Sequence, residues 1–264
     1  MPYLYETHLH TSQASVCASS RGREYIRRYL DLGYTGIIVT DHFFRGNSSI
    51  DRRLPWREKV ELFCRGYEDA REEGEKRGLD VFFGWEESFA GDDYLVYGLD
   101  KKWLLEHPDS ENWTRKEQFQ EVSAAGGCVV QAHPFRQHYY IRRIILAPCL
   151  VHGVEVANAG NGEAAYDGLA WVYAKKLKLA ATAGSDIHSA ADVRQGGTFG
   201  VYLDKKLNSV NDYVLAIRNN ALAGLEFSPG RCDFFGDIRT SLPVDIRGAE
   251  SQIIGHDIKS FLGL

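Results

Sequence analysis

Short apolar runs alternate along this chain with segments of helical periodicity, and that alternation constrains the fold more than any other feature. Runs at 3–5, 36–39, 81–83, 95–97, 128–131, 154–157, 179–182 and 199–202 read as buried strands. Between them, 23–32, 56–77, 114–125, 163–177 and 210–219 carry apolar residues at helical spacing with charge on the other face. Strand and helix in alternation make βαβ units, whose crossovers force parallel strands. A strand covered on both faces needs a nearly unbroken apolar run, as these have. The expectation is an α/β chain built as a closed barrel or a doubly wound sheet. Pro55 suits the first turn of the helix over 56–77. The arginine-rich stretch 138–152 matches no element.

With 264 residues, 44% of them hydrophobic, the chain has enough core for one domain spanning 1–264. A formal net charge of -5 gives no bulk attraction for nucleic acid, so an anionic substrate is expected to be small and held by local positive charge or metal. The five cysteines contain no CxxC pair and fit a reducing cytoplasm. Neither a secretion signal nor a run of about 18 apolar residues is present, so export and membrane spanning are not expected.

In parallel α/β folds the reacting groups gather at the carboxyl ends of the strands. Metal-ligand side chains follow strand after strand here. Thr7-His8-Leu9-His10 is an HxH whose spacing sends both imidazoles to one side, able to bind one divalent ion. Thr40-Asp41-His42 follows the apolar run 36–39 and delivers His42 to the same rim, with Asp41 serving the turn. Gly84-Trp85-Glu86-Glu87 ends another strand, where alternation sends the two carboxylates to opposite sides. Glu86 is the expected ligand, able to bridge two ions, and Glu87 the fallback. Ala132-His133-Pro134 places a histidine where proline stops further strand pairing. Gly184-Ser185-Asp186-Ile187-His188 repeats the same-side spacing with one carboxylate and one imidazole. His107, His138, His152 and His256 lack that context and read as ordinary polar residues.

This ordered series of HxH, TDH, GxE, AHP and GSDxH resembles the PHP family, named for its polymerase and histidinol phosphatase members, over roughly the first 200 residues. The resemblance implies a distorted TIM-like (β/α)7 barrel holding two or three divalent ions, zinc, manganese or iron, for phosphate ester hydrolysis. It implies that His8, His10, Glu86 and Asp186 hold one ion, that Glu86 bridges to a second held also by His133, and that His42 and His188 hold a third. Two departures stand out. Where members often carry a histidine or aspartate about five residues after the HxH, this chain has Ala14, Ser15, Val16 and Cys17. That weakens the expected third site unless Cys17 substitutes as a soft ligand rather than being a buried structural cysteine. Where a histidine often completes the second site, Asp93 aligns instead, which would favour manganese or iron over zinc.

The expected function is a cytoplasmic metal-dependent phosphoesterase acting on a small phosphomonoester or nucleotide. Asp186 and His188 are the expected residues to orient the attacking water or protonate the leaving oxygen. Arg45, Arg136 and Arg194 are expected to grip the phosphate. Two alternatives stand beside it: an amidohydrolase-like hydrolase or deaminase, which would use a bridging lysine, and a metal-bound module without catalysis.

Overall fold

The computed structural model describes residues 2–233 and 240–263. Its strands are β1 (Tyr3–Glu6), β2 (Gly36–Val39), β3 (Asp80–Ser88), β4 (Asp93–Tyr97), β5 (Cys128–Ala132), β6 (Ile144–Leu146), β7 (Gly153–Asn158), β8 (Ala180–Gly184), β9 (Gly200–Leu203), β10 (Gly224–Glu226), β11 (Val244–Arg247) and β12 (Ile253–Gly255). The helices are α1 (Gly22–Asp31), α2 (Trp56–Phe63), α3 (Arg65–Arg77), α4 (Lys101–Glu106), α5 (Arg115–Ala124), α6 (Ala164–Leu177), α7 (Val210–Arg218) and α8 (Ile258–Leu262). No helix among the described residues is long and apolar enough to cross a membrane.

One sheet runs in the order β10-β9-β1-β2-β3-β4-β5-β7-β8. Its far end returns to β1. Thr7 Oγ1 donates to the Ala183 carbonyl at 2.8 Å, the Asp186 amide to the His8 carbonyl at 2.8 Å and the His10 amide to the Ile187 carbonyl at 3.0 Å. Strands β1, β2, β3, β4, β5, β7 and β8 thereby curl into a nearly closed, distorted α/β barrel, and β9 with β10 extends the sheet from β1. Strands β2, β5 and β7 are buried along their whole length, which explains why they are mostly apolar, with Gln131, Glu155 and Asn158 as buried polar exceptions.

The all-parallel arrangement expected from crossovers fails at two places. Strand β4 is antiparallel to both β3 and β5. Only 89–92 separate it from β3, too short for a crossover helix, and Gly91 at φ 97° turns the chain back as a hairpin. Strand β9 is antiparallel to β1, since the chain from β8 to β9 contains one short 3-10 turn and no crossing α-helix.

The helix expected over 56–77 is two, α2 and α3, meeting at Cys64. Beyond the bend, α3 lies so close to α1 that a Cβ on Gly66 would sit 1.9 Å from Thr11 Oγ1, and one on Gly22 2.1 Å from the Gly66 carbonyl. That contact gives α3 its own direction. Pro55 precedes α2 rather than entering its first turn. Between α2 and β3, the Phe43 ring packs 5.4 Å from Phe63 and 5.7 Å from Trp85. Burying each such ring stabilises the fold by about 1.5–3 kcal/mol. The stretch 138–152 contains β6, which pairs parallel with β11 in a small sheet completed by β12.

His152 is one of the ordinary polar histidines. Its Nδ1 accepts from the Val129 amide at 3.1 Å, a bond that needs the neutral ring. Burial, with the nearby Arg218 charge, lowers its pKa to about 4. A histidine depressed in the folded state stabilises fully above the unfolded value near 6.5, and that contribution is lost as pH falls through 4. Denaturant unfolding at stepped pH is expected to show a steeper loss of stability between about 6.5 and 4 for the wild type than for His152→Gln. Parallel curves for the two proteins would contradict this.

Candidate metal centre

Each ligand-type side chain stands where the backbone leaves the barrel wall. His8 and His10 follow β1, His42 follows β2, His133 follows β5, and Asp186 and His188 follow β8, while Glu86 lies within the last residues of β3. Asp93 begins β4, and the reversal of that strand is what brings its first residue to this rim.

The side chains converge on Glu86, which is 1% exposed. Its Oε1 lies 3.4 Å from His8 Nε2 and 3.2 Å from His133 Nε2. Its Oε2 lies 2.8 Å from His42 Nδ1 and 3.5 Å from His10 Nε2. Asp186 Oδ1 lies 3.1 Å from His10 Nε2 and 3.4 Å from His8 Nε2. Asp93 Oδ2 is 4.0 Å from His133 Nε2. The rings of His42 and His188 stack on His10 with centroids 4.3 and 4.5 Å away. Glu87 points the other way and pairs with Arg45 at 3.1 Å.

Charge is distributed to match. Burial opposes ionisation of Glu86, yet His8 and His42 hold its carboxyl well below the usual range. Asp186 is likewise held low against burial by Arg136 and His8. Burial, reinforced by His42 and His188, keeps His10 well below the ordinary histidine value. Two of the site residues are also strained: His133 at φ 28° and Asp186 at φ 54° cost of order 1–3 kcal/mol each. Backbone bonds pin them, from the His133 amide to Glu155 Oε2 at 3.1 Å and from the Asp186 amide to the His8 carbonyl at 2.8 Å.

Behind the cluster stand two acids that sequence reasoning missed. Glu155 accepts from His8 Nδ1 at 3.0 Å and from Asn158 Nδ2 at 2.8 Å, the arrangement in which a neutral His8 would turn its Nε2 lone pair towards a cation at the centre. Glu6 accepts from the amides of Thr7, His8 and Ser185, each at 2.9 Å, and burial raises its carboxyl to about 7 against those bonds. The available signal was an acid inside an apolar strand, as in Val154-Glu155-Val156. Asp41 does serve the loop, accepting from the Thr11 amide at 2.6 Å and Ser15 Oγ at 2.7 Å.

A cavity of about 530 Å³ opens over the cluster, walled by Arg136, Tyr139, Tyr140 and Cys17 among others. Of the three arginines expected to grip phosphate, only Arg136 is there, its guanidinium 2.7 Å from Asp186 Oδ2. Arg45 is taken up by Glu87 and the Phe89 ring, 4.4 Å from its centroid, because the outward alternation of Glu87 draws it away from the rim. Arg194 is exposed on the loop before β9 and does not line the cavity. Cys17 is exposed towards this cavity rather than buried. Burial opposes ionisation of its thiol, but hydrogen bonds with His188 and His42 bring it down to about 6.

The donor set fits divalent metal. Four groupings, His8-His10-Glu86, Glu86-Asp93-His133, His8-His133-Asp186 and His10-His42-His188, each bring their ligand atoms within 4.8 Å of one another. His42 Nδ1 and Glu86 Oε2 are buried without a well-aligned hydrogen bond although only 2.8 Å apart, the arrangement of two donors of lone pairs aimed at a common cation.

No protein-family model and no curated protein sequence matches the chain. Solved structures do. One is a two-domain protein from Bacteroides vulgatus described as containing a predicted PHP-like metal-dependent phosphoesterase, with TM-score 0.60 and 17% identity over 86% of this chain. The present chain spans 65% of that protein's length. A second, from Bifidobacterium adolescentis, is described as a candidate metal-dependent phosphoesterase, with TM-score 0.52 and 17% identity over 82% of this chain and 96% of the other. PsfC from Pseudomonas syringae matches with TM-score 0.56 and 16% identity over 87% of this chain and 93% of its own. The fold of the chain is therefore similar to that of these PHP-like structures.

Proposed function

We propose that the protein is a metal-dependent phosphoesterase that hydrolyses a small phosphomonoester or nucleotide. The observation that carries this reading is the convergence of five imidazoles and three carboxylates on one rim, His8, His10, His42, His133, His188, Glu86, Asp93 and Asp186, beneath a cavity with Arg136 on its wall. Two or three ions, of zinc, manganese or iron, would be held by His8, His10, Glu86 and Asp186, by Glu86, Asp93 and His133, and by His42 and His188. When bound, such ions polarise phosphoryl oxygens and make water acidic near neutral pH.

The chain's own residues supply the rest. Arg136 is fixed by Asn161 Oδ1 at 2.9 Å and Asn158 Oδ1 at 2.7 Å, so its planar cation is oriented before an anion arrives. His188 Nδ1 is committed to the Asp186 carbonyl at 2.8 Å, leaving Nε2 to bind or to pass a proton to the leaving oxygen. Asp186, clamped by Arg136, acts by orienting the attacking water. Tyr139 and Tyr140 form the outer wall, where they meet the organic part of the substrate and thin out water. Among the described residues no lysine lines the cavity, which weighs against an amidohydrolase-like bridge.

Protein loaded separately with zinc, manganese or iron is expected to release phosphate from at least one member of a panel of sugar, amino-alcohol, aryl and nucleoside phosphates, and to stop on chelation. A fully loaded protein that releases none across the panel would refute the assignment.

A further inference from the structure

We propose that Asp167 and Arg231 are positioning residues for Arg136, the arginine on the cavity wall, and that they act through the side chains of Asn158 and Asn161. The use of this relay, to present Arg136 to an anion, rests on the reading of the rim as a phosphoester site; its geometry does not. Arg136 Nε donates to Asn161 Oδ1 at 2.9 Å, while Nη2 donates to Asn158 Oδ1 at 2.7 Å and meets Asp186 Oδ2 at 2.7 Å. Of the five N–H groups of a guanidinium, these bonds use three and leave the two on Nη1 to offer an anion.

A side-chain amide can bond either way round, so each asparagine turns its oxygen to Arg136 only if its nitrogen is held elsewhere. For Asn158 the holder is Glu155, whose Oε2 accepts from Nδ2 at 2.8 Å. For Asn161 it is Asp167, whose Oδ1 accepts from Nδ2 at 2.7 Å and also from the Asn158 amide at 3.2 Å. Asp167 is 1% exposed, and its other oxygen lies 2.8 Å from Arg231 Nε, so a buried charge is answered by a charge. Arg231 Nη2 then donates to the Asn158 carbonyl at 2.7 Å and the Asn161 carbonyl at 3.1 Å, reaching the latter from 70 residues along the chain. One guanidinium thus ties the acid to the backbone of both amides. Between them, a Cβ on Gly160 would lie 3.2 Å from Arg136 Nη2, so this loop packs directly on the cation it orients. Removing either Asp167 or Arg231 frees the Asn161 amide to turn and leaves the other charge buried alone.

Phenylglyoxal labelling of manganese-loaded protein, mapped by peptide mass spectrometry, reports how firmly Arg136 is held. Asp167→Asn and Arg231→Gln are each expected to speed labelling of Arg136 by about threefold or more, while Arg115, paired with Asp92, stays as in the wild type. In calorimetric titration with inorganic phosphate, each substitution is expected to weaken binding by about tenfold at unchanged metal content. In an Arg136→Gln background, Arg231→Gln is expected to weaken phosphate no further, because the residue it positions is gone. Unchanged labelling of Arg136 in both variants, labelling of Arg115 that rises with it in both, or the full loss of affinity retained in the Arg136→Gln background would each overturn the proposal. Those failures, with phosphate still bound by the wild type, leave the phosphoester reading standing. A wild type that binds no phosphate overturns that reading and the use of the relay together.

Discussion

Glu86→Gln is expected to lower metal-dependent phosphate release by about a thousandfold or more, the largest effect of any single substitution. Among the described residues, Glu86 is the one side chain that approaches His8, His10, His42 and His133 together, at 2.8 to 3.5 Å. An amide retains the shape but removes a full negative charge from a buried centre, and with it an oxygen able to serve two cations at once. Several kcal/mol of lost charge stabilisation is a factor of about a thousand in rate. Elemental analysis of the purified variant is expected to show at least one ion fewer per chain than the wild type. Glu87→Gln is the matching control, because that carboxylate turns away from the cluster towards Arg45. If Glu86→Gln keeps full metal content and full turnover, or if Glu87→Gln loses both as severely, the site is wrongly centred.

The second large effect is expected at Glu155. This carboxylate touches no substrate and acts through His8: its Oε1 takes the Nδ1 proton at 3.0 Å and so presents Nε2 as a lone pair. The same carboxylate also accepts from the amide of His133, whose backbone at φ 28° needs holding. Glu155→Gln offers an amide in place of a full acceptor, frees the ring to change tautomer, and is expected to weaken metal binding about 10–100-fold. Calorimetric titration of metal-free protein checks the affinity, and the kinetics discriminate the cause. A positioning role predicts that activity returns when the metal concentration is raised, because the loss lies in occupancy. Activity that stays low at saturating metal would place Glu155 in the chemistry instead.

Much of this site was legible because strand geometry is local. A period of two decides that His8 and His10 share a side and that Glu86 and Glu87 do not, and both follow from the residue order alone. The reversal of β4 was harder to see, because an apolar run has no direction. The short link 89–92 carried the needed information, since no crossover helix fits in it. The bend at Cys64 was hidden for a related reason: periodicity continues through 56–77, and only the approach of Gly66 to Gly22 and Thr11 requires two directions.

The arginines show the limit most clearly. Arg45 and Arg136 sit in comparable loops, yet one is captured by Glu87 and Phe89 and the other stands at Asp186. Charge type and loop position were the same in both, so the outcome depended on which acid faced which way in a neighbouring strand. The sequence by itself determined most of the barrel strands, the alternation that builds an α/β barrel and the side chains delivered to its rim, since these depend on residues within a few positions of one another. Tertiary structure alone decided that β4 runs backwards and brings Asp93 in, that Glu155 supports His8 from 147 residues away, and that Cys17 lines the same cavity as His42 and His188. Those are contacts between distant parts of the chain, and the closing of the barrel is the physical event that makes them.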